Sequence, residues 1–350
     1  MWMRRVQRGA IIAIAILVLV SAAFAWLWSD RPSLDAIDWP APVITTVSAT
    51  DTVTVTWLGV STLLFDDGET QILIDGFFSR PSLADILLNR PVSNDAAMIN
   101  YALDEYRMRR LTAIIPAHSH FDHAMDIGAI ANRTSASILG TPSSIEIARG
   151  AGVPDDQITL IEERRSYEFG QFTVTLLRSS HAPVGWGGSI PYAGTIDAPL
   201  TLPQPVNAMR EGGSLTIVVA HPQGTALVQA SAGFTDEALT GISADVVLLG
   251  VGGLKSLGRD YAERYWQATV TSTGARSVYP IHFDDFTRPF GEIVPGPRFL
   301  GDLEVTAAWF EELRDQWDTD VELFLPEFGV PLAIFAQPII APESDAASSP

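Results

Sequence analysis

His118-Ser119-His120-Phe121-Asp122-His123 is the stretch on which the reading of this chain turns. Three imidazoles and a carboxylate fall within six residues, directly after the apolar run Leu111-Thr112-Ala113-Ile114-Ile115-Pro116. Nitrogen and oxygen donors gathered at the end of a buried strand form a ligand set for a hydrolytic metal ion. The chain has 6 His, so half of them stand here. The plain alternative is a polar loop that is rich in His by chance.

Two more His occupy the same kind of place. The alternating run 172–177 leads to His181, and the strand Ser277–Ile281 ends at His282. In α/β proteins the loops at strand ends are aimed at one crevice, so these five His are expected to share a site. The sixth, His221, lies in His221-Pro222-Gln223-Gly224 between two strands. It reads as a surface residue outside that site.

The pattern around these positions is α/β. Residues 53–57 alternate apolar and polar, Leu63-Leu64-Phe65 follows, and Asp66-Asp67-Gly68 turns the chain into a strand at Gln71–Ile74. Helical spacing covers 95–110, and a short helix is predicted over 124–132. Another opens at Thr141-Pro142, with Thr as N-cap and Pro in the first turn. Runs 215–220 and 225–229 read as a hairpin, and 246–251 as a strand buried on both faces. Helices at 261–270 and 301–316, with short strands at 322–325 and 331–335, close the domain. The chain reads twice over as a meander followed by α/β units, which predicts two similar halves packed together. Residues 182–213 are long, rich in Gly and Pro, and expected to form a functional loop. Trp186 and Tyr192 within it are expected to shape the substrate pocket.

Composition narrows the function. The 350-residue chain carries 41 acidic and 22 basic residues, a net charge of −19. Nucleic-acid binding is disfavoured, because neutralising phosphates needs clustered Lys and Arg. There is no Cys, which excludes disulfides, thiolate metal sites and a Cys nucleophile. Residues 1–9 contain Arg4, Arg5 and Arg8 and precede an apolar run over 10–28. Nineteen residues at 1.5 Å each span about 28 Å, close to a hydrocarbon core of about 30 Å. The basic flank belongs on the cytoplasmic side, so the rest of the chain is expected to be exported. The segment is then either a signal peptide cut after Ala23-Phe24-Ala25 or a membrane anchor. Residues 29–50 read as a spacer, 51–336 as the folded domain and 337–350 as a disordered tail.

The His118–His123 stretch resembles the signature of the metallo-β-lactamase superfamily of hydrolases. Thr56-Trp57-Leu58-Gly59-Val60-Ser61-Thr62, Leu73-Ile74-Asp75-Gly76 and Tyr279-Pro280-Ile281-His282-Phe283 resemble its N-acyl-phosphatidylethanolamine phospholipase and ascorbate-phosphate lactonase branches. The resemblance implies a four-layered αβ/βα sandwich behind the N-terminal helix. It also implies two adjacent metal positions: His118, His120 and His181 for one, and Asp122, His123 and His282 for the other. Asp75 would orient a ligating His. Donors without sulfur suit zinc, as one or two ions. Where the family usually places an Asp bridging both metals, this chain reads Gln229-Ala230-Ser231-Ala232-Gly233-Phe234. Ser231 is a weak neutral substitute, so the second position is in question, and Asp236, Asp284 and Asp285 are nearby acids in sequence.

The implied chemistry is hydrolysis. A metal ion lowers the pKa of bound water to about 7, and the resulting hydroxide would attack a carbonyl or phosphoryl centre, with Asp122 orienting it or shuttling its proton. The expected substrate is an ester or lactone, small or lipid-like. A phosphodiesterase or phospholipase of the same fold is the second reading. A non-catalytic metal-binding protein is the third, and retention of all five His with Asp122 argues against it.

Overall fold

Strand residues in this chain divide alternately between two apolar cores. In Gln71–Ile74, Ile72 and Ile74 join a cluster with Phe172, Val174 and Leu176, while Leu73 joins one with Ile127 and Ile130. In Leu111–Ile115, Ala113 and Ile115 face the first cluster and Ile114 the second, while Leu111 joins the second as well, beyond a register shift between Gln71 and Ile72. Successive strand side chains point to opposite faces, so a sheet patterned like this is covered on both sides. Here one face meets a second sheet and the other meets helices.

The computed structural model describes residues 2–40, 42, 52–317 and 320–336. β1 (Thr54–Trp57), β2 (Leu63–Asp66) and β3 (Gln71–Ile74) form an antiparallel meander. β4 (Pro91–Val92) lies apart from it. β5 (Leu111–Ile115), β6 (Ser137–Gly140) and β7 (Ile158–Leu160) then extend the sheet in parallel from β3. The second half repeats the plan. β8 (Ser166–Phe169) and β9 (Phe172–Ser179) form a hairpin, and β10 (Gln204–Pro205) pairs with β4. β11 (Ser214–His221) and β12 (Gly224–Gln229) continue the antiparallel run from β9. β13 (Val246–Gly250), β14 (Ser277–Ile281) and β15 (Glu322–Leu323) add on in parallel, while β16 (Pro331–Leu332) returns to pair with β1. The result is two seven-stranded sheets with matching topology.

Helices cover the outer faces, completing a four-layered αβ/βα sandwich. Pro142–Gly150 lies on the first sheet and starts at Thr141, whose hydroxyl accepts from the Ser144 amide. Arg259–Thr269 and Leu303–Gln316 cover the second sheet, with the Trp266 and Phe310 rings 5.0 Å apart. The helix predicted over 95–110 is shorter, Ala96–Glu105, and the short helix predicted over 124–132 is two: Phe121–Ala124 and Ile127–Thr134.

The N-terminal helix runs from Trp2 to Ser29. Within Arg4–Ser29 an 18-residue window has a mean hydropathy of 2.8 and none of that window is buried, so the helix is long and apolar enough to cross a membrane. The segment after it is no free spacer. Ile37 is buried in the large core, and Leu34 and Trp39 pack against it. Arg31 reaches the Asp285 carboxylate and the Pro295 carbonyl, each at 2.6 Å. Trp39 Nε1 donates to Glu311, and the Ser33 amide to Glu304. The remainder of the spacer (41 and 43–50) and the tail 337–350 lie outside the described residues.

Candidate metal centre

Both sheets deliver their site residues from the C-terminal ends of strands. β5 leads to His118, and His120 is the N-cap of the short helix Phe121–Ala124, which carries Asp122 and His123. β9 leads to His181 and β14 to His282, and His282 is held at φ 59°. Gly252, after β13, makes room for it: a Cβ there would stand 3.0 Å from His282 Nδ1.

These residues gather into two groups. One atom each of His118, His120 and His181 lie within 4.8 Å of one another, and so do one atom each of Asp122, His123 and His282. The His118 and His123 rings are 3.8 Å apart, so the groups adjoin. Of these side chains His118, His120, Asp122 and His123 are buried.

Hydrogen bonds to the outer nitrogens fix which nitrogen each ring presents. His120 Nε2 is 2.9 Å from the Pro191 carbonyl, which turns Nδ1 toward His118 Nε2 at 3.0 Å. His181 Nδ1 is 2.7 Å from its neighbour's carbonyl, Ala182, leaving Nε2 for the site. His123 Nδ1 is 2.8 Å from Asp75 Oδ2. Its Nε2 is buried without a hydrogen-bond partner, 3.6 Å from Asp122 Oδ2. Asp122 Oδ2 is also 3.4 Å from His282 Nε2. An orphaned, buried ring nitrogen facing a carboxylate and a second imidazole is costly unless something fills the gap. A divalent metal ion fits it.

The electrostatics agree with ligation. Burial, helped by the neighbouring imidazoles, holds His118 far below the usual histidine range, and burial brings His120 down to about 3. Burial also lowers His181. All three are therefore neutral near pH 7, the form that binds metal. For Asp122 burial acts to raise the pKa, but His123 and His282 outweigh it and keep the carboxylate ionised. For His123 burial acts downward, and the carboxylates of Asp75 and Asp122 outweigh it and raise the pKa. Positive charge is favoured at that ring, where a metal ion would replace a proton.

Asp75 is fully buried at φ 59° just beyond β3, and it ties the site to the sheet. It accepts from the Ala117 amide at 2.7 Å and from Ser61 Oγ at 2.5 Å besides meeting His123. Ser61 is also 3.0 Å from His123 Nδ1, a role its place in the Thr56–Thr62 stretch did not single out.

The sequence profile of the metallo-beta-lactamase superfamily matches residues 55–228. The chain belongs to this superfamily. The matched span runs from β1 to β12 and takes in His118–His123 and His181. A UPF0173 metal-dependent hydrolase of Pyrobaculum islandicum is 26% identical over 236 residues, which is 66% of this chain and 84% of that protein. A UPF0173 metal-dependent hydrolase of Pyrobaculum aerophilum is 27% identical over 236 residues, with the same two coverages of 66% and 84%. A possible metal-dependent hydrolase from Veillonella parvula superposes with a TM-score of 0.48 at 16% identity, covering 81% of this chain and 99% of that one.

Against the usual metallo-beta-lactamase pattern, the missing bridge is visible in space. Ser231 follows β12, lines the same cavity as His120, Asp122, His181 and His282, and has a buried Oγ with no hydrogen-bond partner. Among the described residues, none of the nearby acids replaces it. Asp284 accepts from the Val60 amide at 2.7 Å and pairs with the buried Arg80 at 3.5 Å. Asp285 is taken by Arg31 and by the Thr287 hydroxyl and amide. Asp236 is exposed.

Two other expectations change. His221 is outside the site as expected, but its side chain is 3% exposed, beside Asp67 at 3.7 Å and against the Phe172 ring, so it is no surface residue. In the long loop, Tyr192 lines the cavity with its ring 5.9 Å from that of His120. Trp186 instead is 98% exposed and does not line it.

Proposed function

We propose that this protein is a metal-dependent hydrolase of neutral esters or lactones. The observation that carries this choice is the wall of the cavity, about 270 Å³, above the ligands. Its lining includes Asp122, Asp284, Asp285 and Asp302 and, among the described residues, no Lys or Arg. Arg80, Arg31 and Arg298 lie behind it, committed to Asp284, Asp285 and Asp302. With those Arg committed, the wall offers a phosphodiester no free cation to pair with its charge, whereas a neutral ester or lactone needs none. Within the superfamily this favours the lactonase-like members that the motifs around Trp57, Asp75 and His282 resemble.

The nitrogen and oxygen donors suit zinc, which supplies Lewis acidity and makes water acidic enough to ionise near pH 7. His118, His120 and His181 would hold it. Asp122 stays ionised and lies beside the His282 and His123 ring nitrogens, placed to orient the attacking water and take its proton. Tyr192 stands over His120 and closes one side of the cavity.

The test is a metal count on purified protein combined with a substrate panel. Zinc bound at one or more per chain is expected, with turnover of p-nitrophenyl acetate and simple lactones at least about tenfold above bis-p-nitrophenyl phosphate, and loss of that turnover in His120→Ala. A chain that takes up no zinc, iron or manganese, or one that cleaves only the phosphodiester, would overturn the proposal.

A further inference from the structure

The cavity does not open onto an ordinary protein surface. Trp28, in the last turn of the apolar N-terminal helix, is part of its lining. Trp28 packs on Phe299, with ring centroids 6.0 Å apart, and Leu300 beside it also lines the cavity. Phe299 and Leu300 are 42% and 49% exposed. Val184, 37% exposed, also lines the cavity, close to Leu300 on either side of Gly253, and two residues further on is the almost fully exposed Trp186. Exposed aromatic and aliphatic groups gathered around one opening mark a surface that meets another apolar phase. Trp at the end of an apolar span is the usual occupant of the headgroup layer.

The helix end cannot swing away from this mouth. Asp30 is bound through its carbonyl by the Arg298 amide and through its carboxylate by the Arg298 guanidinium. Arg31 is tied to Asp285, three residues beyond the ligand His282. The anchor and the opening are thus fixed to each other, and a bilayer crossed by residues 10–28 would lie against the rim. Arg4, Arg5 and Arg8 on the far side against Arg31 alone among residues 29–48 on the near side give the orientation in which the domain is outside.

We propose that the N-terminal helix is retained as an anchor, and that the site takes acyl-chain substrates that reach it from the bilayer surface through the mouth between Trp28, Leu300 and Val184. This rests on the hydrolase reading above and narrows its substrate to an ester or lactone with an alkyl tail. The reacting carbonyl would sit at the imidazoles while the tail lies along the apolar wall toward Trp28 and the lipid. The exit of the tail to lipid accommodates chains longer than the cavity itself.

Two measurements on the full chain in phosphatidylcholine vesicles test this separately. Because the chain has no Cys, Phe299→Cys gives a single labelling site at the rim, and Gln171→Cys gives one at the β8–β9 turn, at the opposite end of β9 from His181. A fluorophore at 299 should be quenched by nitroxide-labelled phosphatidylcholine and one at 171 should not. Equal quenching at the two sites, or a chain cut after Ala25 and released from the vesicles, overturns the membrane seat whatever the enzyme hydrolyses. Second, the ratio of kcat/KM for p-nitrophenyl decanoate over p-nitrophenyl acetate should exceed about ten. Trp28→Ala should lower that ratio about fivefold and Trp28→Phe should restore it. A flat chain-length profile with the acetate still hydrolysed would sink the substrate class and leave the hydrolase reading standing. No turnover of either ester would sink the hydrolase reading, while the quenching result would still report the seat.

Discussion

Asp75 Oδ2 lies 2.8 Å from His123 Nδ1, and both side chains are almost wholly shielded from solvent. The contact sets the ring so that Nε2 faces Asp122 and His282. Asp75→Asn keeps the shape but removes the charge that favours Nδ1–H. Metal affinity at the Asp122–His123–His282 position should fall by about 10- to 100-fold, as for other partners of ligating His. Titration of metal-free protein with zinc, followed by calorimetry, would show one weakened site beside an unchanged one. Equal weakening of both sites would refute the assignment of Asp75 to His123 alone.

Ser231 offers a gain rather than a loss. Its Oγ is buried without a partner in the cavity that His120, Asp122, His181 and His282 line. Ser231→Asp places a carboxylate where the superfamily usually has its bridge, and metal content should rise toward two ions per chain. Mass spectrometry of the native protein counts the ions directly. An unchanged count would mean that the carboxylate does not reach both positions.

The metal-free protein should lose stability on acidification earlier than its carboxylates alone would dictate. His118, His120 and His181 have folded pKa values below the unfolded value near 6.5. The unfolded chain therefore binds more protons between that value and the folded ones, and stability falls as pH drops from about 6.5 toward about 3. Asp122, also lowered, adds to the loss below about pH 4. His123 is raised and acts oppositely, contributing stability at low pH that fades as pH rises. Three groups against one give a net fall in Tm between pH 7 and 4, measurable by scanning calorimetry, and bound zinc should blunt it near the upper end.

Arg80 and Asp284 form a pair with side chains 5% and 2% exposed, beneath the loop of His282. The guanidinium also lies 4.6 Å from the centre of the Phe77 ring. Arg80→Ala leaves the Asp284 carboxylate buried and uncompensated, which should cost about 3–5 kcal/mol in denaturant unfolding. A loss under about 1 kcal/mol would show that water reaches Asp284 freely.

The layers and ligands were legible because they depend on local periodicity. Alternation in β3 and β5, and His at the ends of β5, β9 and β14, follow from the two-residue strand repeat and the convergence of strand ends. What was hidden depends on distant partners. The docking of Arg31 on Asp285 joins segments 254 residues apart, and nothing in the Pro-rich run after Ser29 announces it. His221 sits in a turn, where solvent is the default, yet Asp67 and Phe172 from other strands cover it. Trp186 is apolar, and only its surroundings show that it faces outward.

The pairing of β1 with β16 sets the order in which this domain can be made. Val55 stands opposite Leu332, and Thr56 opposite Pro331, so the first strand synthesised borders the last. Until the final strand has emerged, β1 presents an unpaired edge next to Trp57, whose indole donates to the Val60 carbonyl that also receives the His282 amide. Closure across such sequence separation is slow. The nascent chain would spend that interval with an open edge that invites pairing with other chains, and a folding helper that covers this edge would be of most use to it then.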